Sequence, residues 1–228
     1  MNMSQMQNVP THISFIMDGN GRWARERGEE RVKGHVEGVR SVRVITEQAV
    51  RRGIRYVSFF AFSEENWGRP QTEVDALMTL MMKSVRDEVK TLMDNDVRFV
   101  VLGNLERLSA PLRTAISALE AKTASNKAMT MIIFLSYSGK WDISQAARRM
   151  AAAGDDDIEK YLVTYGIPDP DLIVRTSGEM RISNYMLWQA AYSEFLFTDT
   201  LWPDFREEQF DEALSEFAKR DRRYGKVK

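Results

Sequence analysis

Cysteine is absent from the 228-residue sequence, which excludes disulfides, thiolate metal sites and cysteine nucleophiles. No apolar run approaches the roughly 18 residues of a membrane-spanning helix. The polar stretch Met1–Pro10 also lacks the apolar core of a secretion signal. The chain therefore reads as cytoplasmic, with peripheral membrane contact at most and a flexible leader over residues 1–11. Net charge is lacking too. Its 32 Lys and Arg against 33 Asp and Glu leave −1, which gives no support to nucleic-acid binding. Repeats, low-complexity segments and linkers are missing, so residues 12–228 read as one domain.

What is present is a steady alternation. Short apolar runs at Ile13–Met17, Tyr56–Phe62, Val97–Leu102, Thr130–Leu135, Leu172–Val174 and Glu194–Phe197 carry β-branched or aromatic residues. Amphipathic segments near 36–52, 72–94, 105–122, 141–153 and 206–220 separate them. The pattern predicts an α/β domain with a central, mostly parallel six-stranded sheet flanked by helices. Ligands of such sheets bind beyond the carboxyl ends of the strands.

Three polar clusters stand at those ends. Asp18-Gly-Asn-Gly-Arg-Trp23 follows the first run. Its glycines let the backbone fold closely around a ligand, and a helix beginning near Arg22 would offer N–H groups to an anion. Ser63-Glu-Glu-Asn-Trp-Gly-Arg-Pro70 follows the second run and reads as a lid-like loop, with Thr72 as a plausible cap of the next helix. Arg175 to Asn184 follows the fifth, and its two arginines six residues apart suit a diphosphate.

Charge supports this placement, since residues 1–60 hold ten Lys and Arg against six Asp and Glu. Arg31 and His35 lie one helical turn apart and could face the same pocket as Arg22. His12, the only other histidine, reads as structural. The helix from Thr72 has apolar residues over more than one stripe, which fits either core packing or the wall of an apolar tunnel.

Gly19-Asn-Gly-Arg-Trp-Ala24 also satisfies the G-x-G-x-x-A dinucleotide fingerprint, with Glu64 or Glu65 available for a ribose. Against a nucleotide-binding oxidoreductase stands Asp18, which would set a negative charge against the pyrophosphate. A divalent cation bridging carboxylate and diphosphate resolves that conflict. The residues thus favour a metal-assisted diphosphate enzyme.

From His12 to Gly225 the chain resembles the cis-prenyltransferases, the family of undecaprenyl diphosphate synthase. The motifs that carry the resemblance are Met17–Ala24, Ala61–Trp67 with Arg69, Pro70 and Glu73, Arg175–Glu179 with Arg181–Asn184, and Leu187–Gln189 through Leu201–Asp204. The resemblance implies a homodimer and a Mg²⁺-dependent condensation of an allylic diphosphate with isopentenyl diphosphate, giving Z double bonds. It implies that Asp18 is the catalytic carboxylate and that Asn66 assists proton removal. Gly19, Asn20, Gly21, Arg22, Trp23, Arg31 and His35 would cradle the allylic diphosphate. Ser63, Glu65, Asn66, Trp67, Arg69 and Glu73 would form the mobile loop, and Arg175, Arg181 and Ser183 would hold the second diphosphate. Asp18 and Glu194 would bind the metal, while Arg223 and Gly225 would reach the partner's site.

Four departures from the usual bacterial pattern concern specificity. Met180 stands where a metal-binding histidine is common, and Ser136-Tyr-Ser-Gly-Lys140 replaces Asn-Tyr-Gly-Gly-Arg. Glu64 replaces a serine, and Ser177 replaces a glycine. Some relatives make only short products, and a few join two molecules of dimethylallyl diphosphate head-to-middle, giving lavandulyl-type skeletons, so a short-chain or irregular synthase stands as the alternative. A non-catalytic partner subunit is the third reading, opposed by the retained Asp18, Arg22 and Asn66.

Overall fold

The computed structural model describes residues 9–222. Pro10 is already buried, and the Thr11 N–H donates to Asp171 Oδ2 at 2.7 Å. The expected contributions of Arg223 and Gly225 lie outside the described residues.

Six strands form one sheet: β1 (His12–Ile16), β2 (Tyr56–Ser63), β3 (Val97–Leu102), β4 (Met129–Tyr137), β5 (Leu172–Arg175) and β6 (Glu194–Phe197). Their order is β3-β4-β2-β1-β5-β6. Every pairing is parallel, so the sheet is wholly rather than mostly parallel. From β1 the chain crosses to β2 on one side, and from β5 it crosses to β6 on the other. The crevice where connections diverge therefore opens at the carboxyl ends of β1 and β5. That topology puts the first and third clusters side by side.

The helices are α1 (Asn20–Glu26), α2 (Arg31–Arg51), α3 (Gln71–Asp87), α4 (Val89–Asp94), α5 (Ala110–Thr123), α6 (Gly139–Ala153) and α7 (Glu207–Ala218). Both faces of the sheet are covered, as a parallel sheet requires. On one face Ile13, Phe15 and Phe59 pack against Ile45 of α2, Val85 of α3, Ile116 of α5 and Phe210 of α7. On the other, Ile16, Phe134 and Ile173 meet Tyr137, Tyr185 and Met186, with Trp141 of α6 alongside.

Three helices differ from expectation; α5 starts at Ala110 rather than 105, because Leu105–Arg107 forms a separate 3₁₀ turn. α2 starts at Arg31 rather than near 36 because Gly34 and Gly38, which dilute its apolar pattern, are contact points. A Cβ on Gly34 would lie 1.9 Å from the Asn20 carbonyl oxygen, so only glycine lets α1 press against α2. The segment 72–94 divides at Glu88 into α3, which follows the cavity described below, and α4, which turns onto β3. Pro70, not Thr72, precedes the first turn of α3, and no side chain caps it.

A buried polar thread ties the sheet centre together. His12 Nδ1 donates to the Pro168 carbonyl at 2.7 Å, which leaves Nε2 to accept from Ser58 Oγ at 2.9 Å. Ser14 Oγ and the Tyr185 hydroxyl continue it at 2.8 Å. His12 is structural, and burial pushes its pKa down to about 4 despite the Pro168 hydrogen bond and the charge of Asp171.

Candidate active site

Asp18 sits two residues past β1, at the head of the crevice. Its carboxylate is fixed from two sides: the Gly19 N–H donates to Oδ1 at 2.8 Å, and Arg175 Nη2 donates to Oδ2 at 2.8 Å. Thr176 Oγ1 accepts from the Asp18 N–H at 2.9 Å and donates to the Asp18 carbonyl at 2.7 Å, so the backbone is clamped as well. Gly19 caps α1 with φ of 99°, a conformation that other residues adopt only at a cost, and a Cβ there would meet Ser177 and Leu201 at 2.9 Å. The left-handed turn thereby presents Asp18 to the crevice.

Arg175 ends β5 and is only 4% exposed. Besides Asp18 it donates to Ser183 Oγ at 2.7 Å and to the Arg181 carbonyl, while its Nε is buried without a partner. The residue expected at the second diphosphate is thus the internal counter-ion of the expected catalytic carboxylate.

The other arginines fall into two groups, each pinned by one glutamate. Glu179 accepts from Arg22 at 3.1 Å and also from Arg181. Its carboxyl is held below the usual range chiefly by the hydrogen bond and charge of Arg181. Glu73 pairs with Arg69 at 3.0 Å and with Arg31 at 3.1 Å. His35 lies beside this second group with its Nε2 buried and without a partner. Burial, then the positive charges of Arg69 and Arg31, push its pKa down to about 4, against a smaller pull from Glu73. It is a neutral imidazole at pH 7.

Asp18, Asn20, His35, Ser63, Asn66, Arg69, Arg175, Arg181 and Ser183 all border one cavity of about 450 Å³. Its mouth is polar. Deeper, it is lined by Val42 of α2, Leu77 and Met81 of α3, Phe99, Leu119 and Met131. The α3 segment thus serves as core and as tunnel wall at once. At the far end Arg43 grips Glu88 with two hydrogen bonds of 3.0 and 2.6 Å, at the break between α3 and α4. Arg31 and Glu73 border a smaller cleft of about 230 Å³ that shares His35.

The loop after β2 forms a 3₁₀ turn over Glu64–Gly68. Asn66 Oδ1 accepts from the Ser63 N–H at 3.1 Å, and Ser63 Oγ accepts from the Asn66 N–H at 3.2 Å. Glu65 accepts from Asn184 Nδ2 at 2.6 Å, tying the second cluster to the third. Trp67 donates to Ser136 Oγ at 2.9 Å.

Several expected residues are elsewhere. Trp23 donates to Asp204 at 2.7 Å and does not border the cavity. Gly21 accommodates the Arg31 side chain, 3.1 Å from where a Cβ would be. Met180 is 77% exposed. Glu194 lies at the amino end of β6, in register with Leu172 and Ile13, and pairs with Arg220 at 2.8 Å. That row is three residues, roughly 10 Å, behind the row of Ile16, Arg175 and Phe197. Within one chain Glu194 therefore does not join Asp18. Among the described residues no group of three or more acidic or histidine side chains could hold a metal. Sequence reasoning passed over Thr176, Arg43 and Glu88, single polar residues whose role depends on partners distant in the chain.

A carboxylate and several arginines thus stand at the mouth of one cavity with apolar depths, the arrangement of an enzyme site rather than of a packing defect. A family model described as "Putative undecaprenyl diphosphate synthase" matches residues 16–225. An isoprenyl transferase of Chlorobaculum tepidum is 48% identical over 230 residues, covering 96% of this chain and 87% of the relative. Lavandulyl diphosphate synthase of Lavandula x intermedia, solved with dimethylallyl diphosphate, is 36% identical with a TM-score of 0.93, covering 96% of this chain and 100% of that one. A probable undecaprenyl diphosphate synthase of Campylobacter jejuni is 30% identical with a TM-score of 0.82, at the same coverages. The chain belongs to the undecaprenyl diphosphate synthase family, and it is a prenyl diphosphate synthase. Membership sets aside the oxidoreductase reading, and likeness to named isoprenyl transferases speaks against the non-catalytic one.

Proposed function

We infer that the protein condenses an allylic diphosphate with isopentenyl diphosphate into a Z-prenyl diphosphate, in a Mg²⁺-dependent reaction. The observation that carries this reading is the Asp18 carboxylate, held by Arg175 at the polar mouth of a 450 Å³ cavity with apolar depths. The donor set fits Mg²⁺, which commonly takes one or two carboxylates and completes its shell with substrate phosphates and water. Asp18 would hold the ion, which would supply positive charge to offset the charge that develops as the allylic C–O bond breaks.

The chain's own residues supply the rest. Arg22, Arg31, Arg69 and Arg181 take the diphosphate oxygens in exchange for Glu73 and Glu179. Neutral His35 offers hydrogen bonding without a further charge. The apolar walls hold the tail and exclude water from the cation, so that the second double bond attacks instead. The carbocation left by that attack loses a proton to the released diphosphate, and Asn66, which carries no titratable base, would assist this proton removal through its carboxamide hydrogen bonds. The protein is read as a cytoplasmic homodimer, and Glu194 as serving the metal only through assembly.

Head-to-middle coupling of two dimethylallyl diphosphates is the second reading. It is favoured by the likeness to lavandulyl diphosphate synthase and by the Ser136–Lys140 segment at the loop. Incubation with Mg²⁺ and dimethylallyl diphosphate, with and without isopentenyl diphosphate, followed by mass analysis, decides between them. Product only when both are present supports the first reading, and product from dimethylallyl diphosphate alone supports the second. If a range of allylic starters yields no product with either partner, both are overturned.

A further inference from the structure

The loop carrying Asn66 and Arg69 is held in place from outside the site. Trp67 Nε1 donates to Ser136 Oγ at 2.9 Å, and Ser136 Oγ donates onward to Glu64 Oε1 at 2.7 Å. Arg107, some forty residues along the chain, closes the circuit twice. It pairs with Glu64 Oε2, and its guanidinium lies over the Trp67 ring, 4.7 Å from the centroid. Phe62 also meets the Trp67 ring in a T-shaped arrangement, with centroids 5.0 Å apart.

Arg107 is presented by a firm stage. Its turn, Leu105–Arg107, is joined to the end of β4 by the Asn104 N–H, which donates to the Ser136 carbonyl at 2.9 Å. Leu108 is buried, and Arg113 Nη1 donates to its carbonyl at 2.7 Å. The 3₁₀ turn at Glu64–Gly68 has no buried residue of its own. The turn Leu105–Arg107 has none either, so the fixed point of the circuit is Ser136, fully buried on β4, to which both turns are tied: Trp67 through the Ser136 hydroxyl and Asn104 through its carbonyl.

Resting on the prenyl-transfer reading, we propose that Arg107 is a positioning residue for this reaction: through Glu64, Ser136 and Trp67 it sets the posture of the loop that places Asn66 and Arg69 at the cavity mouth. Glu64 and Ser136 are two of the departures noted in the sequence. The structure shows them bonded to each other, so they work as one device. An ion pair with an arginine 42% exposed adds little to stability. Its effect belongs to geometry, where a displacement of about 1 Å costs on the order of 10²-fold in rate.

The test measures kcat and KM of Arg107→Ala, Glu64→Gln and the charge exchange Glu64→Arg with Arg107→Glu. Wild-type turnover is measured first, with whichever substrate pair it accepts. Absence of wild-type product would fault the prenyl-transfer reading, not the clamp. Each single variant is expected to lower kcat about tenfold or more with KM within about threefold. The melting temperature should stay within a few degrees, and the exchange should recover at least threefold over either single variant. Glu64→Gln removes the ion pair without a volume change, which covers the case of an Arg107→Ala that fails to fold. A kcat within twofold of wild type in Glu64→Gln would overturn the proposal. So would an exchange no better than the single changes.

Discussion

Arg175 Nη2 reaches Asp18 Oδ2 at 2.8 Å across neighbouring strands β5 and β1, joining a residue 4% exposed to a carboxylate with 37% of its side chain accessible. The pair faces in two directions. Its buried half belongs to the fold, and its open half faces the cavity mouth. Asp18→Ala should lower turnover by about 10²–10³-fold, the range seen when one preorganised electrostatic group is removed. It should also cost roughly 1–3 kcal/mol of stability, because Arg175 loses its counter-ion while Asp18 is partly screened by water. Steady-state kinetics and urea unfolding check both, and unchanged turnover would sink the assignment.

Glu179 holds Arg22 and Arg181 where a diphosphate is expected to bind. Releasing them with Glu179→Gln should tighten binding of inorganic pyrophosphate by roughly threefold, in keeping with the small strength of exposed ion pairs. Calorimetric titration in the presence of Mg²⁺ measures it. Weaker binding would mean that Glu179 orients the arginines rather than competing for them.

Both histidines should stay neutral well below their ordinary range, with pKa values near 4. In the unfolded chain they take up protons near pH 6.5. Their contribution is therefore fully present above pH 6.5 and is lost as pH falls from 6.5 towards 4. For fully buried His12 that contribution is on the order of 3 kcal/mol. NMR titration is direct, because the chain has only two histidines to assign. Midpoints near 6.5 would contradict the buried environments.

The Arg43–Glu88 pair borders the deep end of the cavity. Glu88→Ala would remove its carboxylate, leave Arg43 free to turn to solvent, and lengthen the space open to a growing tail. Product mass distributions should shift upward, while Met81→Trp should shift them downward by filling the middle of the tunnel. An unchanged distribution in both variants would mean that product release, not space, sets the length.

Much of this was legible because parallel strands carry near-continuous apolar runs, and the polar residues after them mark the ligand edge. The six runs became the six strands, and Asp18, Asn66 and Arg175 came to one mouth as their positions predicted. The start of α2 was hidden because glycines that serve packing against α1 weaken the helical signal. Glu194 is a metal ligand by resemblance, and strand register sets it three residues behind the Arg175 row within one chain, so that reading rests on assembly, which the sequence does not spell out. Arg107 gave no signal, since a lone arginine in a turn acquires a role only through the distant residues it touches.

The cavity has a further consequence. Its mouth is built on strand register and tight turns, whereas its depth is measured by α2, α3 and the break at Glu88. On the proposed reading, releasing diphosphate from an allylic substrate and gauging a hydrocarbon would be duties of different parts of the chain. On that reading a lineage could redraw the ruler one side chain at a time and leave the spark undisturbed.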